Sequence, residues 1–300
     1  MFISGVAIPF SVQSKLEKKV PGRHLIAKAF KRLAFLILLG ILYNGTFMNG
    51  FQDGRIASVL GQIGIAYFLT VVIVINFPDF RHKLIWLGVI LTSVGIIQLL
   101  VPVPGIGAGV LTPEGCINGY IDQALLPGRL IGDSFDPEGI LCSYSATAIT
   151  LMGTIAGSIL HNRKTGDWQK LAYLTTAGVL GIVFAILLSS FYPIIKSCWT
   201  STFNLLAGGI SFILMAFFYL LIDHWGFKTW AFYFRIIGKN SIFVYLFNRI
   251  VDVYRISGFF LGWLTNSLGE NGELLLLVGN LIFTWLLLYY MFRKKIFLRV

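Results

Sequence analysis

Apolar runs of roughly 20 residues recur along this chain, each long enough to cross the hydrocarbon of a bilayer. Hydrocarbon offers no water to satisfy the backbone, so a spanning segment must be a helix or a strand of a closed barrel. The runs are too long and too uniform for barrel strands, which are short and alternating. The fold class expected is therefore all-α, a polytopic transmembrane helix bundle. Composition agrees: 56% of the residues are hydrophobic and only 12% are charged, about half the charge of a soluble domain. Eight full spans are predicted, at 33–49, 56–77, 84–103, 141–160, 171–191, 203–222, 240–254 and 274–292. The span at 240–254 is the weakest, being short and carrying Asn240, Asn248, Arg249 and Asp252. No repeat or linker divides the chain, so a single domain over 1–300 is expected.

The net charge of +11 would suggest nucleic acid in a soluble protein. Here its placement follows the positive-inside rule. The segment 13–32 carries Lys15, Lys18, Lys19, Arg23, Lys28, Lys31 and Arg32. Alternating from a cytoplasmic 13–32, the cytoplasmic side collects 19 of the 24 Lys and Arg residues, and nine of the 13 acids fall on the other side. The chain is expected in a bilayer with its C-terminus cytoplasmic and with no nucleic-acid partner. The apolar start, MFISGVAIPFSV, covers about half of the hydrocarbon thickness at roughly 1.5 Å per residue. It reads as a half span, either an interfacial stub or the cytoplasmic half of a helix that begins further upstream.

One polar stretch interrupts this pattern. Residues 104–140 hold five of the 13 acids and a single basic residue, Arg129. Loops of this length are uncommon and are usually functional or disordered. Charge alternation puts this one on the non-cytoplasmic side. Within it, Asp136-Pro137-Glu138-Gly139 has the residue order of a β-turn. Its two carboxylates lie near Asp122 and Arg129 in the sequence, a grouping suited to an amine or to sugar hydroxyls. Lys196 and Trp199 also map outside; Trp199 fits either an interfacial aromatic belt or a sugar-stacking platform. Asn44, Gln62 and Gln98 fall inside predicted spans, where interhelical hydrogen bonding is the plainest account. Arg55 opens the second span. Arg249 and Asp252, three apart, suggest a local ion pair on a helix. The four histidines, His24, His82, His161 and His224, all map to the cytoplasmic side. Cys116, Cys142 and Cys198 lack metal-binding spacing and lie on or near the outer side, so no metal is expected and one disulfide is an option, free thiols being favoured.

Several of these pieces, taken in order, resemble the heparan-α-glucosaminide N-acetyltransferase family. They are Arg55-Ile-Ala-Ser-Val-Leu60, Leu111-Thr-Pro-Glu-Gly115, Tyr120-Ile-Asp122, Phe135-Asp-Pro-Glu-Gly139, Pro193 through Lys196 with Trp199, Asn240-Ser-Ile-Phe-Val-Tyr245, and Arg293-Lys-Lys-Ile-Phe297. The resemblance covers essentially the whole chain and implies acetyl transfer across a membrane, from cytosolic acetyl-CoA to an amino sugar or other glycan outside. It implies substrate-binding roles for Arg55, Asp122, Asp136, Glu138, Lys196 and Trp199, and places Asn240, Ser241 and Asn44 along the acetyl-CoA path. The sequence departs from the family pattern at Gln62, Gln123 and Ile195, where the family has arginine, arginine and asparagine. The family's catalytic histidine lies upstream of the segment resembling Phe2–Ala7, so no catalytic residue is assigned and the chain as given is expected to need that segment. The rival reading is a glycan or lipid transporter, or a non-catalytic membrane partner; a homodimer stays open.

Overall fold

The computed structural model describes residues 1–50, 54–132, 134–268 and 272–298. Asp133 of the polar loop and Arg299 of the basic tail therefore lie outside the described residues. Among those described, the chain is helical and forms no strand, with two compact units, Met1–Leu220 and Leu221–Val300.

The first unit opens with α1 (Phe2–Ile8), a π-helical turn over Pro9–Gln13 and α2 (Ser14–Glu17). It continues with α3 (Gly22–Tyr43), α4 (Thr46–Asn49), α5 (Val59–Asn76), α6 (Phe80–Leu100), α7 (Ile117–Leu125), α8 (Ile140–His161), α9 (Asp167–Leu188) and α10 (Ser201–Tyr219). The second unit holds α11 (Ala231–Lys239), α12 (Ser241–Ile250), α13 (Val253–Leu268) and α14 (Gly272–Arg293). A π-helical turn, Leu220–His224, extends α10.

Six helices among the described residues are long and apolar enough to cross a membrane: Val59–Asn76, Phe80–Leu100, Ile140–His161, Asp167–Leu188, Ser201–His224 and Gly272–Arg293. This is fewer than the eight full spans expected, and the differences have physical reasons. The predicted span 33–49 is the apolar half of α3, which begins at Gly22 and carries Arg23, Lys28, Lys31 and Arg32 in its first half. The helix stops at Asn44 because Gly45 takes a left-handed conformation (φ 71°), which glycine adopts without steric cost. The predicted span 240–254 breaks after Ile250, leaving a ten-residue helix too short to cross. The break puts Arg249 in α12 and Asp252 just ahead of α13, where its carboxylate accepts the Arg255 N–H at 3.0 Å. The polar loop is also less irregular than expected, because it contains α7.

Helix α8 is the axis of the first unit. Sixteen of its 22 residues are buried, and its sequence explains how. Ser143, Ser145, Ala146, Thr147, Ala148, Thr150, Gly153, Thr154, Ala156 and Gly157 give it small residues on every face, so neighbouring helices approach closely all round. The closest approach is that of α1. A Cβ on Gly5 would stand 1.9 Å from the Thr150 carbonyl oxygen, and one on Gly153 would stand 2.0 Å from the Phe2 carbonyl oxygen. Gly153 and Gly157 are four apart and present one face, the G-x-x-x-G arrangement of close helix pairs. Thr154 Oγ1 donates to the Gly5 carbonyl at 3.2 Å, and Phe2 packs edge-on against Phe212 at 5.2 Å. The apolar start is thus a helix docked on the core.

Replacing Gly153 with Val forces the α1 and α8 backbones apart. We expect a loss of stability of about 1–3 kcal/mol, the usual cost of overpacking, read as a lower melting temperature in detergent. Val89→Ala, an exposed position on α6, should leave the melting temperature nearly unchanged.

Candidate functional site

The motif residues converge where α5 and α8 begin. Ser58 caps α5 by accepting the Gly61 N–H at 3.0 Å. Just before it, the backbone of Arg55 is fixed from two sides. Asn44 at the end of α3 donates to the Arg55 and Ala57 carbonyls at 3.0 and 2.8 Å, and Thr46 Oγ1 donates to the Arg55 carbonyl at 2.8 Å. A bridge between Arg55 and Gly128, with Arg129 N–H donating to the Gly54 carbonyl at 3.1 Å, stitches the polar loop to this segment. The guanidinium then reaches Asp136 with two bonds, Nε to Oδ2 at 2.7 Å and Nη2 to Oδ1 at 2.6 Å, and also bonds Glu138 Oε2. Such fork-to-carboxylate pairing is geometrically specific and strong.

The turn expected at 136–139 is present. Gly139 N–H donates to the Asp136 carbonyl and Glu138 N–H to Asp136 Oδ1, each at 2.9 Å. Asp122, on α7, stands behind it. Its Oδ1 accepts the Ile140 N–H, the first of α8, at 2.9 Å, and its Oδ2 accepts the Asp136 N–H at 3.4 Å. Only glycine permits this at 139, since a Cβ there would lie 2.0 Å from Asp122 Oδ2. Gln62 donates to the Pro137 carbonyl at 3.3 Å and Gln123 to the Ser134 carbonyl at 2.6 Å. Gln62 and Gln123, two of the three departures from the family pattern, therefore grip the same stretch of loop.

Exposure separates these side chains. Asp136 is fully buried and Asp122 almost so, whereas the side chains of Arg55 and Glu138 are 19% and 18% exposed. Burial raises all three carboxyls. Asp122 is pushed up to about 6 by burial, against the two N–H donors that favour its charged form. Glu138 is likewise raised by burial, which Arg55 only partly offsets. For Asp136 the Arg55 hydrogen bonds overcome burial and hold it below the usual carboxylate range.

Trp199 adopts a positive φ of 50° in the connection between α9 and α10. Its carbonyl accepts Ser145 Oγ at 2.6 Å, and its ring meets Phe203 edge-on at 5.4 Å. Trp199 and Ile195 pack on a buried cluster of Phe135, Cys116, Cys142 and Cys198, so this turn and the 136–139 turn share one support. All three cysteines are free thiols. Cys116 is drawn down to about 7 by its hydrogen bond with Cys198, against burial and aided by the Gly119 N–H. Lys196 points to the exterior; its carbonyl accepts the Trp199 N–H at 3.1 Å.

Three expected site residues have other geometry. Asn44, predicted within a span, is the cap residue that positions Arg55. Asn240 and Ser241 belong to the second unit. Asn240 is buried, donates to the Ile296 carbonyl and accepts the Leu298 N–H, both at 3.0 Å, and so fastens the C-terminal tail. Ser241 begins α12.

Two arrangements are not marked locally in the sequence. Gln98 donates to Asn118 Oδ1 and to the Cys198 carbonyl at 2.9 and 2.8 Å and accepts from Tyr192, joining α6, α7 and the connection before α10. Lys83 is 1% exposed; its Nζ donates to Gln13 Oε1 at 2.9 Å and Ser158 Oγ at 3.0 Å. Its partners are 70 and 75 residues away in the sequence, and the packing of both α6 and the Pro9–Gln13 turn on α8 brings them together.

A multi-pass helical membrane protein with a buried arginine–carboxylate clamp at the head of its central helix is the class these features define. Along its whole length the chain is similar to heparan-alpha-glucosaminide N-acetyltransferase of Mus musculus, 27% identical over 360 aligned positions, and to that of Homo sapiens, 27% over 358. It is a distant relative of this acyltransferase family, and it spans about half the length of each, 53%. No family model matches the chain.

Two predictions follow from the clamp geometry. Asp136→Asn leaves Arg55 facing a neutral amide in a buried site. Breaking a buried pair from one side costs about 3–5 kcal/mol, so the melting temperature should fall sharply, with Glu138→Gln costing much less because that side chain reaches solvent. For Asp122 the raised carboxyl makes the protonated form the stabilising one. That contribution is complete below about pH 3.8 and is lost as pH rises through about 6. Melting curves of Asp122→Asn and wild type, measured from pH 4 to 8, should show the variant's deficit shrinking as pH rises; a deficit that grows would contradict the assignment.

Proposed function

We propose that this protein is a membrane acetyltransferase. In this reading it transfers the acetyl group of cytosolic acetyl-CoA to the amino group of a glucosamine-type sugar, or to another glycan, on the periplasmic side of a bacterial inner membrane. The observation that carries the reading is the whole-length similarity to two N-acetyltransferases. The charge split along the sequence supports the sidedness, with basic segments on the donor side and the acidic polar loop on the acceptor side.

The chemistry asked of the site is simple to state. The free amine attacks the thioester carbonyl carbon, the C–S bond breaks, the amine loses a proton and the CoA sulfur gains one. A deprotonated amine is needed for attack, so the acceptor end must first bind an ammonium and then allow it to lose its proton. Asp136 and Glu138 share the guanidinium of Arg55, Asp122 lies behind them on the Asp136 and Ile140 N–H groups, and the family's two further arginines are Gln62 and Gln123. That balance favours a cationic or hydroxyl-rich acceptor over an anionic one. Glu138 and Arg55 are the partly exposed members and take the direct acceptor contacts. Asp136 and Asp122 position them, and Lys196 and Trp199 stand at the rim. Asn240 and Ser241 remain assigned to the donor path, whereas Asn44 acts at the acceptor end, through Arg55.

Proteoliposomes loaded with acetyl-CoA labelled in the acetyl group, with glucosamine on the opposite side, test this directly. Labelled N-acetylglucosamine is expected, and Glu138→Gln should raise KM for the sugar more than it lowers kcat. Sugar flux without acetyl transfer would establish the transporter reading instead.

A further inference from the structure

The second unit contains a cavity of about 530 Å³ lined by Ile222, Lys228, Thr229, Ala231, Phe232 and Arg235, a volume within the range of ligand sites. Its construction is local. Gly226, at φ 75°, lets the chain turn back so that Phe227 N–H donates to the Leu221 carbonyl at 3.0 Å, and the Phe232 N–H then donates to the Thr229 carbonyl at 3.2 Å. These bonds place Lys228 and Thr229 on one side of the cavity and the first turns of α11 on the other. The Arg235 guanidinium lies over the rings of Phe232 and Phe292, 5.3 and 6.0 Å from their centres. Stacking of this kind fixes the plane of the group while leaving its in-plane N–H donors available.

Among the described residues neither Lys228 nor Arg235 forms an ion pair. Residues 221–239 contain one acid, Asp223, against Lys228, Arg235 and Lys239. The cavity therefore presents two cations and a hydroxyl beside an apolar wall of Ile222, Ala231 and Phe232. Its level in the bilayer is also marked. Ile222 lies in the last turn of the apolar helix Ser201–His224, and Trp225, Phe227, Trp230 and Phe234, interleaved in the sequence with the lining residues, are exposed. Trp and other amphipathic rings gather where hydrocarbon meets headgroups, and basic pockets at that level on the cytoplasmic side bind lipid headgroups.

We propose that this cavity binds the headgroup phosphate of an anionic phospholipid. The phosphate sits between Lys228, Thr229 and Arg235, and an acyl chain runs along Ile222 and Phe232. The site is independent of the acetyl-transfer reading, since none of its residues belongs to the clamp.

Native mass spectrometry of the purified full chain from neutral detergent, titrated with phosphatidylglycerol or phosphatidylcholine, tests the proposal. Phosphatidylglycerol should be retained in preference to phosphatidylcholine. Retention should weaken roughly fivefold for each of Lys228→Gln and Arg235→Gln, the weight of one basic residue at a membrane surface. The charge-preserving Lys228→Arg should keep binding, which separates loss of the site from loss of the fold. Lys239→Gln should also keep it, because that ammonium lies over Phe292 and Phe297, 4.9 and 5.1 Å from the ring centres, and does not line the cavity. Equal retention of the two lipids would overturn the proposal, as would undiminished phosphatidylglycerol binding in the double variant. Adenosine 3′,5′-bisphosphate is the soluble comparison; if it binds through Lys228 and Arg235 while phosphatidylglycerol does not, the cavity serves a soluble phosphate and the lipid assignment fails.

Discussion

Everything in the first unit depends on how closely other helices can approach α8. In a bilayer, apolar side chains gain little by leaving lipid for one another, so association rests on close packing and interhelical hydrogen bonds. Helix α8 supplies both. Its glycines let α1 come within backbone contact, and its serines and threonines bond outward to neighbours, as Ser145 does to the Trp199 carbonyl and Thr154 to that of Gly5. A helix with larger residues at these positions would hold its neighbours apart, and Trp199 and the α1 backbone would lose their partners together.

The clamp is the consequence at the head of that helix. Helix α8 begins with N–H groups that no residue within the helix can satisfy. Asp122 takes the first of them, Asp136 and Gly139 close the preceding turn, and Arg55 pins that turn to the entry of α5. The residues that read as an open acidic patch are thus mostly engaged in building α8's start. This divides the motif. Asp136 and Asp122 are buried and act through the backbone and Arg55, while Glu138 keeps one carboxylate at the surface. In the proposed acetyltransferase reading, function at this end of the unit is therefore tied to stability, because Glu138 shares Arg55 with Asp136, the group that sets the turn.

Periodicity and length made the helical membrane class legible, and local turn chemistry made Asp136-Pro137-Glu138-Gly139 legible. Span limits were harder, because hydropathy marks the apolar half of α3 but not the charged half continuous with it. Asn44 looked like a polar residue in mid-span, yet Gly45 ends the helix one residue later and turns it into a cap for Arg55. Within the polar loop, α7 was hidden because it is short and starts from a cysteine cap. The Arg55–Asp136 pair joins residues 81 positions apart, and no local pattern reports such a pairing. The ordered family motifs singled out both residues without showing that they meet.

The departures from the family pattern bear most directly on what the clamp can accept. Gln62 and Gln123 still reach the carbonyls of Pro137 and Ser134, so the scaffold contacts do not require an arginine at either place. What the substitutions remove is charge. Arginine at both positions would add positive charge beside these carboxyls; with glutamine there, Asp136 and Glu138 share the guanidinium of Arg55, and burial raises Asp122. A site so arranged has unspent acceptor capacity on its one exposed carboxylate. In the proposed acetyltransferase reading, an incoming ammonium or hydroxyl satisfies that capacity, whereas an anion meets repulsion from Glu138 before it reaches Arg55. On the same reading, Gln62→Arg is expected to lower KM for an acidic sugar acceptor relative to glucosamine.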